Sequence, residues 1–296
     1  MTWVNAVVQG ILLGGLYALL ACGLSLMFGV MRIINLAHGD IAVVGAFVVW
    51  EIAISAHISP FLALLAALPG MLIVGYLLQI TLLDRSLRGG ELVPLLTTFG
   101  LAIVIQNSLL QIFSPDVRSL GGQVGAVRTA SWRITDQLSI PAIGVLVLAV
   151  AVAVLGGLQL LLARTAFGRE MRATAQDPDT AALVGVNARA VYARATAIAV
   201  VTATVAGAFL AMRTTFEPSS GPTQLIFAFE AVVIGGLGSL WGTLWGGVLL
   251  GVAQAVGAQI NPEYFALSGH VVFLAILLAR VAAQSGRARY LMRRLA

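Results

Sequence analysis

Nine apolar runs divide this chain, at 4–30, 36–56, 60–83, 93–113, 140–163, 191–212, 224–238, 241–259 and 264–280, each bounded by charges or by Pro/Gly clusters. A helix needs about 20 mostly apolar residues to cross the hydrocarbon of a bilayer. Runs of that length, repeated from end to end, leave no room for a soluble catalytic domain. Residues of the AVILMFWYC class make up 59% of the 296 and charged residues only 10%. Soluble domains hold about 45–50% and about 25%. The expected fold is therefore an all-α polytopic membrane protein, one transmembrane domain over residues 1–296 with eight or nine crossings. The seventh run is short for a full crossing. With the eighth it carries Gly235, Gly236, Gly238, Gly242, Gly246, Gly247 and Gly251. A broken or re-entrant element is expected near 224–259, tolerable at membrane depth only where protein surrounds it.

All 17 basic residues are arginine, and they are unevenly placed. With Arg32, the loops at 84–91 and 164–194 and the C-terminal tail on one side, that side holds thirteen. The other side keeps Arg118, Arg128, Arg133 and Arg213. The rich side is expected in the cytoplasm, which puts the C-terminus inside and the loop at 114–139 outside. Glycines among β-branched residues in that loop suggest a small hairpin. Topology accounts for the net charge of +5, so it is no sign of nucleic-acid binding. The first basic residue is Arg32, so no charged n-region precedes the first run, and a retained helix is expected there. The lone cysteine, Cys22, excludes an internal disulfide and a cysteine metal cluster.

Small residues recur at helix-packing intervals. Gly10 and Gly14 form one GxxxG, Gly238, Gly242 and Gly246 two more, and Gly247 with Gly251 a fourth. Such stripes let another helix approach closely. Packing within one subunit is the plainer reading, and a subunit interface or moving surface the other.

Against this background one stretch is anomalous: GREMRATAQDPDTAALVGVN, residues 168–187, with two arginines, a glutamate and two aspartates in an oily chain. Arg169, Arg172 and Gln176 recur on one helical face. Asp177 and Pro178 suit the N-cap and first position of a second short helix, Asp179 suits its first turn, and Gly185 suits its end. Two short helices on the cytoplasmic face are expected. Pattern alone leaves open whether they lie on lipid headgroups or dock a partner.

Two further sets of polar residues could serve a pathway or a gate. Asn35, His38 and Asp40 cluster with Gly39 between the first two runs, where Asn35 could cap a helix carrying His38. Gln106 and Asn107 lie within the fourth run, after Thr97 and Thr98, and Gln79 lies in the third. Glu230 sits in the short seventh run. An intramembrane carboxylate needs a partner or a cavity; Arg213 or an arginine of another subunit is the expected partner, and a proton-coupling role for Glu230 is a rival. His270 reads as an interhelical hydrogen bonder. His38 and Asp40 are too few ligands for a metal site. No G-x-S-x-G, H-E-x-x-H or Walker A pattern occurs, so any ATP-driven movement of solute would need a separate ATPase.

Three blocks carry a family resemblance. GILLGGLYALLACGLSLMFGVMRIINLAHGD resembles the opening of LivH-type permeases, the membrane subunits of branched-chain amino acid ABC transporters. The insert is similar to that family's cytoplasmic loop, and AFEAVVIGGLGSLWGTLWGGVLLGVAQ to its glycine-rich C-terminal stretch. The blocks fall in the family's order. Leu36, Asp40 and Gln176 stand where the family usually has Phe, Glu and an acidic residue. The resemblance implies that the segment 164–190 contains a coupling loop docking on an ATPase, with Gly168, Arg169, Arg172, Ala173, Asp177, Ala181 and Gly185 at the matching positions. It also implies a second permease subunit in a heterodimer, two ATPases that bind ATP and Mg, a periplasmic binding protein, and a bacterial inner-membrane location. This chain itself would hold no cofactor. Its solute would be a branched-chain or similar small apolar amino acid; urea or short amides, or ion-coupled secondary transport through Glu230, are the alternatives.

Overall fold

The computed structural model describes residues 2–90, 92–125, 127, 130–135 and 138–295, with side chains in the last helix described as far as residue 283. Arg128 lies outside the described residues, as do the side chains of the four arginines beyond 283 and residues 126, 129, 136 and 137 of the outer loop.

The helices follow the apolar runs. They are α1 (Thr2–Met31), α2 (His38–Ser55), α3 (Pro60–Leu78), α4 (Leu92–Phe113), α5 (Ala142–Arg164), α6 (Ala166–Gln176), α7 (Pro178–Leu183), α8 (Ala188–Arg213), α9 (Gly221–Gly235), α10 (Leu240–Ile260) and α11 (Tyr264–Leu295). Among the described residues, eight are long and apolar enough to cross a membrane: α1 to α5, α8, α10 and α11. At 15 residues, α9 is too short. The only strands described are β1 (Ser131–Thr135) and β2 (Leu138–Pro141), an antiparallel hairpin with Trp132 opposite Ile140. The hairpin runs on to Pro141, so α5 begins at Ala142 rather than 140.

The glycine stripes close the interior. Gly10 and Gly14 of α1 face Gly251 and Gly247 of α10; a Cβ on Gly14 would overlap the Cα of Val248, and one on Gly251 the backbone of Gly10. Two GxxxG faces thus meet backbone to backbone within the subunit, where dispersion replaces the hydrophobic drive that lipid cannot supply. One expected stripe is corrected. Gly236 and Gly238 adopt φ of 99° and 81° in the turn between α9 and α10, so Gly238 is no part of a helical stripe. Gly242 and Gly246 instead pack against Gly235 and Ala231 of α9.

A second re-entrant feature lies where the sequence reading has an ordinary loop. α1 ends at Met31, and Arg32 after it, at a left-handed φ of 56°, turns the chain back. His38, the first residue of α2, then donates from Nε2 to the carbonyl of Leu20 at 2.9 Å. Leu20 is eleven residues before the end of α1, roughly 16 Å along it, so α2 starts beside the middle of α1. Main-chain groups at that depth must find protein partners. Leu36 N donates to Thr98 Oγ1 of α4 (3.1 Å), Ala37 N to Asn35 Oδ1 (3.0 Å) and His38 N to Asn35 O (3.1 Å).

The basic residues sort by bundle end. Arg32 and Arg172 line one cleft, Arg189 and Arg88 both reach Asp84 (3.0 and 3.3 Å), and Arg280 donates to the last carbonyls of α9, Val233 and Ile234 (2.9 and 2.6 Å). At the opposite end Arg118 stacks over Trp50 at 4.2 Å, and Arg213 donates to the carbonyl of Leu12 at 3.2 Å.

Candidate functional site

The charged insert folds as two short helices. Thr165 caps α6 by accepting from Gly168 N (3.1 Å). Gly168 packs so tightly on Leu162 that a side chain there would meet the end of α5, which fixes the angle at which the insert leaves the bundle. Met171 and Thr174 are buried beneath α6, and Glu170 pairs with Arg194 at 3.4 Å. Asp177 ends α6 and caps α7, accepting from Asp179 N (3.0 Å) and Thr180 N (3.2 Å). The Thr180 hydroxyl bonds the same carboxyl, and these bonds hold Asp177 below the usual carboxylate range. Gly185, at φ 84°, follows the helix end and reverses the chain, while Ala181 is the buried contact of α7.

The face expected to dock is only partly free. Arg169 is exposed, but Arg172 folds back to donate to the carbonyl of Leu162 at the end of α5. A guanidinium satisfies that otherwise orphaned helix-terminal acceptor, so Arg172 braces the insert. Ala173 is partly buried. Sequence reasoning missed Leu183 and Val184, which are 87% and 77% exposed at the tip of α7. Their signal was present: two aliphatic residues just before a terminating glycine, on a segment otherwise too polar to bury them.

The polar candidates within the membrane divide into four places. Asn35, His38 and Asp40 are buried together at the start of α2. Asn35 does not cap that helix: the cap position is Ala37, with no side-chain bond, and Asn35 instead organises the preceding turn. Gly39 and Asp40 pack on Gly221, the first residue of α9, so closely that neither glycine has room for a side chain. Gln106 is partly buried on α4 with its side chain near the Asp40 carboxyl, whose Oδ1 has no hydrogen-bond partner among the described residues. Asn107 points the other way, exposed on α4 with its amide bonded to Ile103 O at 2.8 Å. Glu230 stands apart from both. It pairs with His270 of α11 (Oε1 to Nδ1, 2.5 Å). Arg213 is bonded to α1, which corrects the expected Glu230–Arg213 pair. Gln79 accepts from Thr196 (2.6 Å) at a π-turn ending α3.

Among the described residues no group of three His, Cys, Asp or Glu side chains could share a metal ion. What the structure assembles is a membrane-spanning bundle, polar residues at half depth, and a stiff two-helix arm at its basic end. That is the build of a membrane-embedded transport subunit. The chain belongs to the family described as the permease component of the branched-chain amino acid transport system, whose model matches residues 6–280. It is 30% identical to BraD, a high-affinity branched-chain amino acid transport permease of Pseudomonas aeruginosa, over 96% of both chains. It is 28% identical to LivH of Escherichia coli over 94% of both. It also resembles FrcC, a fructose import permease of Rhizobium meliloti, at 26% over 83% of this chain and 69% of that one. No solved structure matches it.

Proposed function

We propose that this chain is the membrane subunit of an ATP-binding cassette importer that carries branched-chain or similar small apolar amino acids inward by alternating access. The names of BraD and LivH, matched along nearly their full lengths, support that solute class over the sugar of FrcC. ATP and Mg belong to a separate ATPase, and this chain holds no cofactor of its own. The basic end of the bundle faces the cytoplasm of a bacterial inner membrane, with the C-terminus inside. The opposite end, with the hairpin and residues 213–223, receives a periplasmic binding protein.

The observation that carries the coupling role is the apolar tip of α7. Leu183 and Val184 stand free on a helix capped by Asp177, stopped by Gly185 and braced through Arg172. A two-residue aliphatic end on a helix of six residues is a small apolar knob, the shape that an apolar groove on an ATPase would take. The exposed polar face of α4, with Asn107, Ser108 and Gln111, supports packing against a second, related permease subunit with the solute pathway between them. Replacing Leu183 and Val184 with aspartate is expected to abolish co-purification of the ATPase while leaving the permease in the membrane. Retention of the ATPase by that variant overturns the docking reading. ATP-independent uptake by this chain alone overturns the importer reading.

A further inference from the structure

A cavity of about 410 Å³ opens at the basic end between α1, α5, α6 and the α9–α10 turn. A neighbouring cleft of about 560 Å³ shares Gly29, Arg172, Ala175 and Gly238 with it and adds Arg32. Neither includes a residue of α2, α3 or α4, so both lie away from the polar half-depth cluster and the Asn107 face. Volumes of this order are those of small-molecule sites.

The lining is specific. Most of the wall is aliphatic: Leu26 and Val30 of α1, Leu162 of α5, Leu240 of α10. Ser25 lies within it at 1% exposure, and its hydroxyl has no hydrogen-bond partner among the described residues. A buried serine within a helix ordinarily donates to a carbonyl one turn back; this one does not. Gln159 adds an amide. Arg172 lines both spaces, and Arg32 joins it in the adjoining cleft. Arg172 spends one N–H on Leu162 O and keeps others free. Arg32 N donates to Phe28 O at 2.9 Å where the backbone turns at φ 56°, while its guanidinium has neither a hydrogen-bond nor an ion-pair partner among the described residues. An aliphatic pocket with one unpaired hydroxyl and a doubly cationic mouth is complementary to a small carboxylate with a branched apolar tail.

We propose that this cavity is a cytoplasmic binding site for an aliphatic amino acid or 2-oxo acid. Its carboxylate lies between Arg172 and Arg32, a polar group meets Ser25, and its side chain fills the space beneath α6. Because α6 forms one wall and α1 another, an occupant ties the coupling arm to the bundle and slows the ATP-driven cycle as internal solute rises. The inference rests on the importer reading for its orientation and its consequence, but the site stands on the geometry alone.

The test uses the assembled transporter, permease subunits with their ATPases, in nanodiscs. Co-purification of the ATPase and stimulation of its activity by loaded binding protein are read first, and failure of either overturns the functional reading and this regulatory role with it. Leucine and 4-methyl-2-oxopentanoate are then added without binding protein, and hydrogen exchange is followed at residues 20–31 and 159–176. Protection of both peptides is expected, with slowed ATP hydrolysis. Ser25→Ala and Arg32→Gln are each expected to weaken the probe about tenfold, as loss of one hydrogen-bonding partner does. Absence of protection at saturating probe, in preparations that respond to binding protein, overturns the proposal. So does protection that tracks only the phosphatidylglycerol content of the disc, which would make the occupant a lipid headgroup.

Discussion

Helices α4 and α11 are both edge helices, and each shows a face at the same helical spacing. On α11 that face is Leu267, Val271, Leu274 and Leu278, all exposed and all aliphatic. On α4 it is Gly100, Val104, Asn107 and Gln111, with Ser108 beside it, equally exposed. Exposure in a single chain therefore means two different things here. An aliphatic face is what hydrocarbon solvates at no cost. Amides at membrane depth are expensive in lipid and belong against protein or water. The aliphatic face marks α11 as a lipid-facing boundary, and the amides mark α4 as the side that the proposed second subunit would complete.

The largest expected effect tests that contrast directly. Val271→Arg puts a cation into hydrocarbon near the middle of the span, at a cost of about 2.5–3.5 kcal/mol on insertion scales. Folded yield of the permease in membranes should fall steeply. Asn107→Arg, on the polar face of α4, should leave insertion nearly intact and abolish transport. Equal losses of folded protein in both variants would erase the distinction between the faces.

Next in size is the attachment of α11 itself. Its inward side is held by the Glu230–His270 pair, by Phe273 on Phe229 (6.4 Å) and by Ser268 Oγ on Ala253 O (2.9 Å). Glu230→Ala leaves His270 Nδ1 unpaired and should cost about 1–3 kcal/mol in thermal unfolding of the solubilised protein. Glu230→Gln keeps a hydrogen-bonding oxygen and should cost clearly less. A glutamine variant as unstable as the alanine one would mean that the carboxylate charge, rather than the bond, holds the helix.

The spans were legible because hydropathy over twenty residues is a one-dimensional signal, and the bilayer reads it the same way. The caps of α7 were legible because Asp177, Pro178 and Gly185 act within a few residues. Depth was not. The run at 36–56 carries no sign that α2 starts beside Leu20, since that depends on the long-range bonds of His38 to Leu20 and of Leu36 to Thr98. Partners forty residues apart, such as Glu230 and His270, were equally hidden, and proximity in sequence suggested Arg213 instead. The bracing bond of Arg172 was hidden for a related reason: the end of the preceding helix comes within its reach only in three dimensions.

Smaller effects sharpen the comparison by separating function from stability. The double variant Asn107→Leu/Gln111→Leu makes the α4 face as aliphatic as that of α11. Against a partner or a wet pathway it removes polar contacts, and uptake should fall about tenfold, equivalent to about 1.4 kcal/mol, with little loss of folded protein. Against lipid it would remove two amides from hydrocarbon, so stability would rise and uptake would stay unchanged; that pair of results would place α4 on the boundary. The control is Leu274→Ile on α11. A lipid-solvated side chain has no fixed partner to lose and the swap conserves apolar volume, so both stability and uptake should stay within about 0.5 kcal/mol of wild type. A larger change there would mean that the aliphatic face of α11 also packs on a neighbour, and that chemistry alone does not tell lipid from protein at this edge.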